Sequence, residues 1–244
     1  MAREVSDRLG LELVLQPIDW NSKEMELAGG KVDCLWNGLT ITPEREESMA
    51  MSEPYLANSQ VIVVREDSGI TDKAGVAGKT VGVQTGSSAE EAIAKDEISG
   101  TIGELVQIAD NVSALSDLKI GRLDAVVLDE VVASYYIAQE GNEGLVILPE
   151  KLAAEEYGVA FAKDNTALRD QVQEVLDEMI ADGTAAEIST KWFGEDKVLR
   201  ADASSETAGA SDAAGVSDAA GASEVSGASD AAVETAGASE EAAA

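Results

Sequence analysis

Apolar runs and amphipathic segments alternate along the first 200 residues, and this pattern predicts the secondary structure. Short apolar runs typical of buried strands occur at residues 32–36, 61–64, 80–83, 125–128 and 159–162. Residues 11–18 alternate between apolar and polar side chains, which predicts a further strand. Segments with one apolar face predict helices at residues 2–9, 20–28, 130–138, 166–181 and 185–193. Because strands and helices alternate, we expect an α/β fold.

Capping residues mark the ends of several predicted helices. Gly10 and Gly183 are expected to end helices, because glycine adopts the left-handed conformation of a helix C-terminus without strain. Asp19 stands where the second helix begins. Thr42 followed by Pro43 predicts another helix start, with threonine as the N-cap and proline at the first helical position.

The stretch from residue 31 to residue 45 carries the most candidate chemistry. Its apolar run is expected to break at Asn37 and Gly38, so that a strand leads into a polar loop. The loop offers a side-chain amide, a glycine that lets a ligand approach the backbone, and the Thr40 hydroxyl. Arg45 follows in the first turn of the next helix. Ligands of open α/β sheets bind outside the carboxyl ends of the strands, so we expect an anion here.

A second anion site is predicted at residues 86–88. Gly86, Ser87 and Ser88 follow a predicted strand and precede a helix that opens at Ala89. The N–H groups at a helix N-terminus have no intrahelical partner, and the helix dipole adds a partial positive charge. These three residues are therefore a candidate cradle for an anion.

The chain is strongly acidic. It has 47 acidic and 17 basic residues, and its formal net charge is −30. Residues 201–244 contain nine of the acids and no basic or aromatic residue, which leaves −21 on residues 1–200. A surface with this charge repels nucleic acids and anionic membranes, because binding to phosphate needs clustered Lys and Arg. A nucleic-acid partner is therefore not expected.

Residues 201–244 form a low-complexity segment of Ala, Ser, Gly and acidic residues with a six-residue rhythm. Such a segment cannot bury enough apolar surface to offset the entropy lost on ordering. We expect a disordered tail, to which the sequence assigns no function.

The cysteine and histidine content argues against a reactive thiol and against metal and haem sites. Cys34 is the one cysteine and lies in an apolar run, where a packing role is favoured over a reactive thiol. With no histidine and no cysteine cluster, neither a zinc nor a haem site is expected, and no cofactor is predicted. No run approaches the about 20 apolar residues that cross a bilayer. The N-terminus lacks the apolar middle of a signal peptide.

An internal repeat and a set of ordered motifs bear on the fold and the family. Residues 27–33 and 118–124 share the order Leu-x-x-Gly-basic-aliphatic-Asp at predicted helix-to-strand junctions, which indicates two lobes of similar build. Motifs in a fixed order occur at residues 31–33, 37–45, 52–55, 78–83, 86–88 and 124–130. Together they resemble the periplasmic (extracellular) amino-acid-binding proteins of ABC importers, family 3 of the bacterial solute-binding proteins. The similarity covers roughly residues 3–195.

The resemblance implies a type II periplasmic-binding-protein fold, in which two α/β lobes close on a free polar amino acid. Lobe one is predicted to comprise residues 1–59 and 154–200, and lobe two residues 60–153. The resemblance also implies a monomer in the periplasm or outside the cell, associated with the membrane, that delivers its ligand to an ABC transporter permease. Members of the family begin with an export signal and a first strand, and neither is recognisable here. Lobe one is therefore expected to be incomplete at its N-terminus.

The resemblance also implies roles for individual residues. Arg45 matches the arginine that binds the α-carboxylate, aided by backbone N–H groups near Thr40 and Ser88, and Asp129 matches the acid that binds the α-ammonium. Carbonyl groups of Asn37 and the Thr40 hydroxyl help to hold the ammonium, and Trp20 matches an aromatic wall. The ligand-binding residues expected on this basis are Trp20, Trp36, Asn37, Gly38, Thr40, Arg45, Gly86, Ser87, Ser88 and Asp129.

Alternatives remain open at the level of sequence. Asp129 can serve as a helix N-cap, and Arg45 can pair with Glu46 or Glu47 on an exposed face. Ser87 and Ser88 can serve only to cap their helix, and Trp20 can be a core residue. An enzyme is not expected, because no nucleophile–base pair is visible and histidine, the commonest general base, is absent. Two rival functions are a ligand-sensing domain of a signalling receptor and a cyclohexadienyl-dehydratase-like enzyme of the same fold.

Overall fold

A computed structural model describes residues 1–139 and 141–200 of the chain. The segment predicted to be a disordered tail lies outside the described residues. The helices are α1 (Ala2–Leu9), α2 (Lys23–Ala28), α3 (Pro43–Ser48), α4 (Ser88–Lys95), α5 (Asn111–Lys119), α6 (Glu130–Ile137), α7 (Thr166–Ala181) and α8 (Thr184–Phe193). The strands are β1 (Cys34–Thr40), β2 (Ala50–Met51), β3 (Leu56–Arg65), β4 (Thr80–Gln84), β5 (Glu104–Ile108), β6 (Ala125–Asp129) and β7 (Leu145–Phe161).

The described strands form one mixed sheet of seven strands. Their order is β1-β7-β3-β6-β4-β5, and β2 pairs with β7. The long strands β3 and β7 are antiparallel neighbours, whereas β4 is parallel to both β5 and β6. Strands β4 and β6 each lead into a helix, so their carboxyl ends meet helix N-termini at one edge of the sheet. The predicted alternation of strand and helix is confirmed.

Buried apolar side chains of the described residues form four clusters. Two clusters draw all their buried members from residues 60–153. A third lies wholly within residues 1–59 and 154–200, and the fourth adds only Val131 to members from those ranges. The predicted lobe boundaries face one another across β3 and β7, because Ser59 pairs with Ala154 and Gln60 with Ala153. The division into two lobes stays a prediction, and this distribution supports it.

Most local predictions of helix ends are confirmed. Gly10 follows α1 with a left-handed φ of 67°. The Asp19 side chain accepts a hydrogen bond from the backbone N–H of Asn21 and so caps the turn that leads into α2. The Thr42 side chain accepts one from the backbone N–H of Arg45, with proline at the start of α3. These caps fix the direction in which α2 and α3 leave the sheet edge.

The break predicted at Asn37 and Gly38 is wrong. Strand β1 continues to Thr40, and its register with β7 shifts between Leu35 and Leu39. Gly38 takes up the shift with a φ of 82°, which is a bulge and not the end of a strand. The polar residues of this stretch therefore belong to a paired strand and are held more rigidly than a loop would hold them.

The strand predicted at residues 11–18 is also wrong. These residues form no regular secondary structure in the described chain. Val14 and Leu15 are 71% and 75% exposed. An alternating pattern is compatible with a strand, but a strand also needs a partner for its backbone N–H and C=O groups.

The predictions for Cys34 and for membrane-spanning segments can be compared with the structure. Cys34 is half-buried and packs against the cluster around Phe161. Burial raises the pKa of its thiol to about 11, so the thiolate is disfavoured at neutral pH. Among the described residues, no helix combines the length and the apolar character needed to span a membrane.

Candidate functional site

A polar cleft with a volume of about 170 Å³ lies where the carboxyl ends of β1, β4 and β6 meet the starts of helices. Its lining residues are Trp20, Asn37, Gly38, Thr40, Arg45, Gln84, Ser87, Ser88, Asn111, Asp129 and Val132. Eight of the ten predicted site residues are among them. Their assignment to a ligand stays a prediction.

Arg45 supplies the positive charge of the cleft. Its side chain is 6% exposed, and Nη1 donates a hydrogen bond of 2.7 Å to the Thr40 carbonyl oxygen. Burial lowers the pKa of the guanidinium, but an arginine remains protonated at neutral pH. Both Glu46 and Glu47 are exposed, and the described residues contain no ion pair to Arg45. The alternative in which Arg45 pairs with these acids on an exposed face is therefore wrong.

Trp20 covers one side of the cleft and links it to the opposite side. Its ring centroid lies 5.9 Å from the Arg45 guanidinium carbon, and its indole N–H donates to the Gly86 carbonyl at 3.2 Å. Lys23, which the sequence analysis missed, lies 4.8 Å from the same ring and donates to the Gly86 carbonyl at 3.5 Å. Trp20 therefore lines the cleft and also packs against the apolar cluster around Leu39.

Asp129 supplies a negative charge at the end of β6. It occupies the N-cap position of α6 but makes no capping hydrogen bond. Its Oδ1 accepts instead from Asn58 Nδ2 at 2.6 Å and from Gln60 Nε2 at 2.9 Å. Burial, and then repulsion from Glu155, raise the pKa of the carboxyl to about 6. Asp129 therefore does not act as an N-cap. Side chains of β3 hold its carboxyl group, and burial disfavours the ionised form of that group.

Two hydroxyl groups join the sides of the cleft. Thr40 Oγ1, at the end of β1, lies 3.1 Å from Ser88 Oγ at the start of α4. Ser87 caps α4, since its side chain accepts from the backbone N–H of Glu90. The first turn of α4 therefore presents its N–H groups and the positive end of its dipole toward the cleft.

Two predicted residues lie outside the cleft lining. Trp36 donates its indole N–H to the Tyr55 hydroxyl at 3.1 Å and packs edge-on against that ring, against the cluster around Phe161. The structure therefore packs Trp36 against the core, outside the cleft lining, and its role at the ligand stays a prediction that this packing does not support. The Gly86 N–H donates to Glu90 Oε2 at 2.8 Å. The Ser87 N–H donates to the Gln84 carbonyl oxygen at 3.3 Å. Two of the three amides of the predicted cradle are thus already used within the protein.

Sequence reasoning missed the polar residues of the sheet itself. Asn58 and Gln60 in β3 and Glu155 in β7 lie beneath the cleft. Asn58 and Gln60 are polar, yet they are buried in the same strand as the run of valine and isoleucine that follows them. A polar residue within a buried strand needs a partner, and that signal could have identified them.

The arrangement places opposite charges in one cleft. Arg45 offers planar donors suited to a carboxylate, the start of α4 offers backbone N–H groups, and Asp129 offers an acceptor for a cation. A small zwitterion with its two charges a few atoms apart matches this distribution.

A family described as bacterial extracellular solute-binding proteins, family 3, matches residues 1–195. The chain belongs to this family. One relative of this chain is the arginine-binding extracellular protein ArtP of Bacillus subtilis (strain 168). ArtP is 34% identical over 201 residues, which are 81% of this chain and 77% of ArtP.

Solved structures agree with this assignment. An ABC uptake transporter substrate-binding protein from Streptococcus pneumoniae, solved with bound histidine, has a TM-score of 0.76 and 38% identity, and covers 82% of this chain and 83% of that one. An ancestral arginine-binding protein bound to glutamine has a TM-score of 0.71 and 37% identity, with coverages of 80% and 85%. The predicted type II periplasmic-binding-protein fold is confirmed, and the chain is a solute-binding protein.

Proposed function

We propose that this protein captures a free polar amino acid between two lobes and delivers it to the permease of an ABC transporter. The observation that carries the proposal is the buried Arg45, which has no acidic partner among the described residues, in the same cleft as Asp129. A buried cation without an ion pair is costly. A ligand carboxylate supplies the missing negative charge.

The ligand is held at both of its charged groups. Its α-carboxylate accepts hydrogen bonds from Arg45 and from the N–H groups at the start of α4. Its α-ammonium donates to Asp129 and to the Thr40 hydroxyl, next to Asn37. Trp20 covers the bound molecule from one side. Because Arg45 and Asp129 belong to different predicted lobes, full binding depends on closure.

The remaining parts of the proposal concern the setting. We infer a monomer that acts outside the cytoplasm, associated with the membrane that holds the permease. The family and the named relatives are binding proteins. We also infer that the ligand is released unchanged, because the chain contains no histidine to act as a general base.

Titration calorimetry with L-arginine, L-histidine and L-glutamine tests the proposal, because similar proteins are named for these ligands or were solved with them. We expect saturable binding of at least one. A ligand at 100 times its dissociation constant should also raise the free energy of unfolding by about 2.7 kcal/mol. Agmatine, which is arginine without its α-carboxylate, is the matched control and should not bind. Binding of agmatine as tight as that of L-arginine would contradict the carboxylate site.

Replacement of Arg45 tests the same site from the side of the protein. Arg45→Met removes the donors of the ligand carboxylate, a loss typically of about 2 to 5 kcal/mol, so affinity should fall by roughly 30-fold to several thousand-fold. Arg45→Lys should recover only part of it, because lysine keeps the charge without the planar fork. Arg122→Met is the matched control, since the Arg122 side chain is 71% exposed and does not line the cleft. Unchanged affinity in a folded Arg45→Met protein would remove Arg45 from the site.

A further inference from the structure

Glu155 collects hydrogen bonds from three elements beneath the cleft. It is half-buried in β7, directly opposite Asn58 of β3. Its Oε2 atom accepts from Gln60 Nε2 at 2.7 Å, from Thr40 Oγ1 at 2.9 Å, from Ser88 Oγ at 3.2 Å and from Asn58 Nδ2 at 3.3 Å. Donors from β1, β3 and α4 therefore converge on one carboxylate oxygen.

These contacts determine how the two hydroxyl groups of the cleft are oriented. A hydroxyl has one hydrogen and two acceptor lone pairs. A carboxylate is a stronger acceptor than another hydroxyl, because its hydrogen bonds are charge-assisted. The hydrogens of Thr40 and Ser88 therefore point down to Glu155, although the two oxygens are only 3.1 Å apart. The Thr40 oxygen then presents its lone pairs to the cleft.

We propose that Glu155 is a positioning residue for ligand binding, which fixes the Thr40 hydroxyl as an acceptor for the ligand ammonium. An ammonium group has only donors, so a hydroxyl whose hydrogen faced the cleft would repel it. Glu155 also fastens Thr40 and Ser88 to the same atom, and so holds β1 and α4 together around the ligand. This inference rests on the proposed function and adds to it a residue that lies outside the cleft lining.

Two other roles for Glu155 make different predictions. In a purely structural role, Glu155 contributes to the free energy of unfolding but not to ligand affinity. In a role through charge alone, Glu155 acts on Asp129, which Arg45 and the Tyr157 hydroxyl also face. Glu155→Gln separates the positioning role from the charge role, because glutamine keeps a carbonyl acceptor for the hydroxyl groups and loses the charge. Glu155→Met separates the positioning role from the purely structural one, because only the positioning role lowers affinity when the acceptor is removed.

The test is calorimetric titration with L-arginine, L-histidine and L-glutamine on the full chain and its variants. Glu155→Met removes the acceptor and should lower the affinity of the bound amino acid at least tenfold, a loss in the range of one hydrogen bond to a charged group. Glu155→Gln should remain within about threefold of the wild type. Glu156→Met is the matched control on the same strand, because Glu156 is exposed, and should bind like the wild type.

A double-mutant cycle with Thr40→Val tests whether Glu155 acts through the Thr40 hydroxyl. The double variant Thr40→Val/Glu155→Met should bind about as weakly as the weaker single variant, since both changes remove the same interaction. Losses that multiply would overturn the inference, as would a tenfold loss in Glu155→Gln or unchanged affinity in Glu155→Met. If the Met variant does not fold, Thr40→Val decides, because unchanged affinity in that variant would show that the hydroxyl which Glu155 orients does not hold the ligand. If the wild type binds none of the three amino acids, the proposed function fails and the inference fails with it.

Discussion

The Asp129 carboxyl group differs in its pH dependence from a carboxylate that stabilises the folded protein. Burial and the neighbouring Glu155 raise its folded-state pKa to about 6, whereas an aspartate in an unfolded chain has a pKa of about 3.9. Between about pH 4 and pH 6 the folded protein therefore binds more protons than the unfolded chain. Stability from this group is present at low pH and is lost as pH rises through the window. A salt-bridged carboxylate behaves in the opposite way.

We predict that stability and affinity respond to pH in opposite directions. A pKa raised from about 4 to about 6 corresponds to about 3 kcal/mol. Raising the pH from 4 to 7 should therefore lower the free energy of unfolding of the ligand-free wild type by up to that amount relative to Asp129→Asn, measured by urea unfolding. Ligand affinity should instead rise with pH through about 6, because the ammonium requires the ionised carboxylate. If the two unfolding curves run parallel across this range, Asp129 is not the titrating group.

At the scale of elements, the sequence predicts what is local and misses what depends on pairing. Helix α7 has the predicted bounds, because its apolar period and its termini are set within the segment itself. Strand β1 extends past the predicted break because β7 pairs with it on both sides of Gly38. The strand expected at residues 11–18 fails for the converse reason, since no described strand pairs with it.

The same distinction divides the candidate site. Arg45 and Asp129 belong to short motifs that the sequence displays. Glu155 became visible only through the register that sets it opposite Asn58, across strands almost 100 residues apart in the chain. A polar side chain in a strand can face either solvent or another strand, and only the pairing shows which. Resemblance therefore identified eight of the eleven residues that line the cleft, and the structure added Gln84, Asn111 and Val132 and the residues beneath it.

The bulge at Gly38 gives a prediction at this scale. Gly38 has a φ of 82°, and a Cβ atom there would lie 3.2 Å from Cζ of the buried Tyr157. Gly38→Ala should therefore destabilise the protein by about 2 to 3 kcal/mol, the sum of a left-handed alanine and a tight contact, and should weaken ligand binding. Gly30→Ala is the matched control, because Gly30 has a φ of 68° with no atom within 4 Å of the added Cβ. Equal losses in urea unfolding for the two variants would show that Tyr157 does not constrain the bulge.

At the scale of the whole molecule, the dominant feature is charge. Residues 1–200 carry 38 acidic and 17 basic side chains. Some of this charge is concentrated along α7, where Asp170, Glu174, Asp177 and Glu178 lie together on one open face of the helix. Like charges on a compact surface repel one another, and unfolding moves them apart. The folded state is therefore destabilised by a repulsion that dissolved salt can screen.

We predict that sodium chloride stabilises this protein. Between 0.01 M and 1 M salt the Debye length falls from about 30 Å to about 3 Å, which removes most of the repulsion between surface carboxylates. The midpoint of thermal unfolding should rise over this range, as measured by circular dichroism. Glu174 is exposed, and substitution there reduces the negative charge in two steps. The midpoint at low salt should rise in the order wild type, Glu174→Gln, Glu174→Lys, by about 1 to 2 °C per step. The gain from salt should shrink in the same order.

Chloride is the suitable anion, because sulfate stabilises proteins by exclusion from their surface whatever their charge. A midpoint that is unchanged or lower in 1 M sodium chloride would mean that ion pairs, which salt weakens, outweigh the repulsion in spite of the excess of acids.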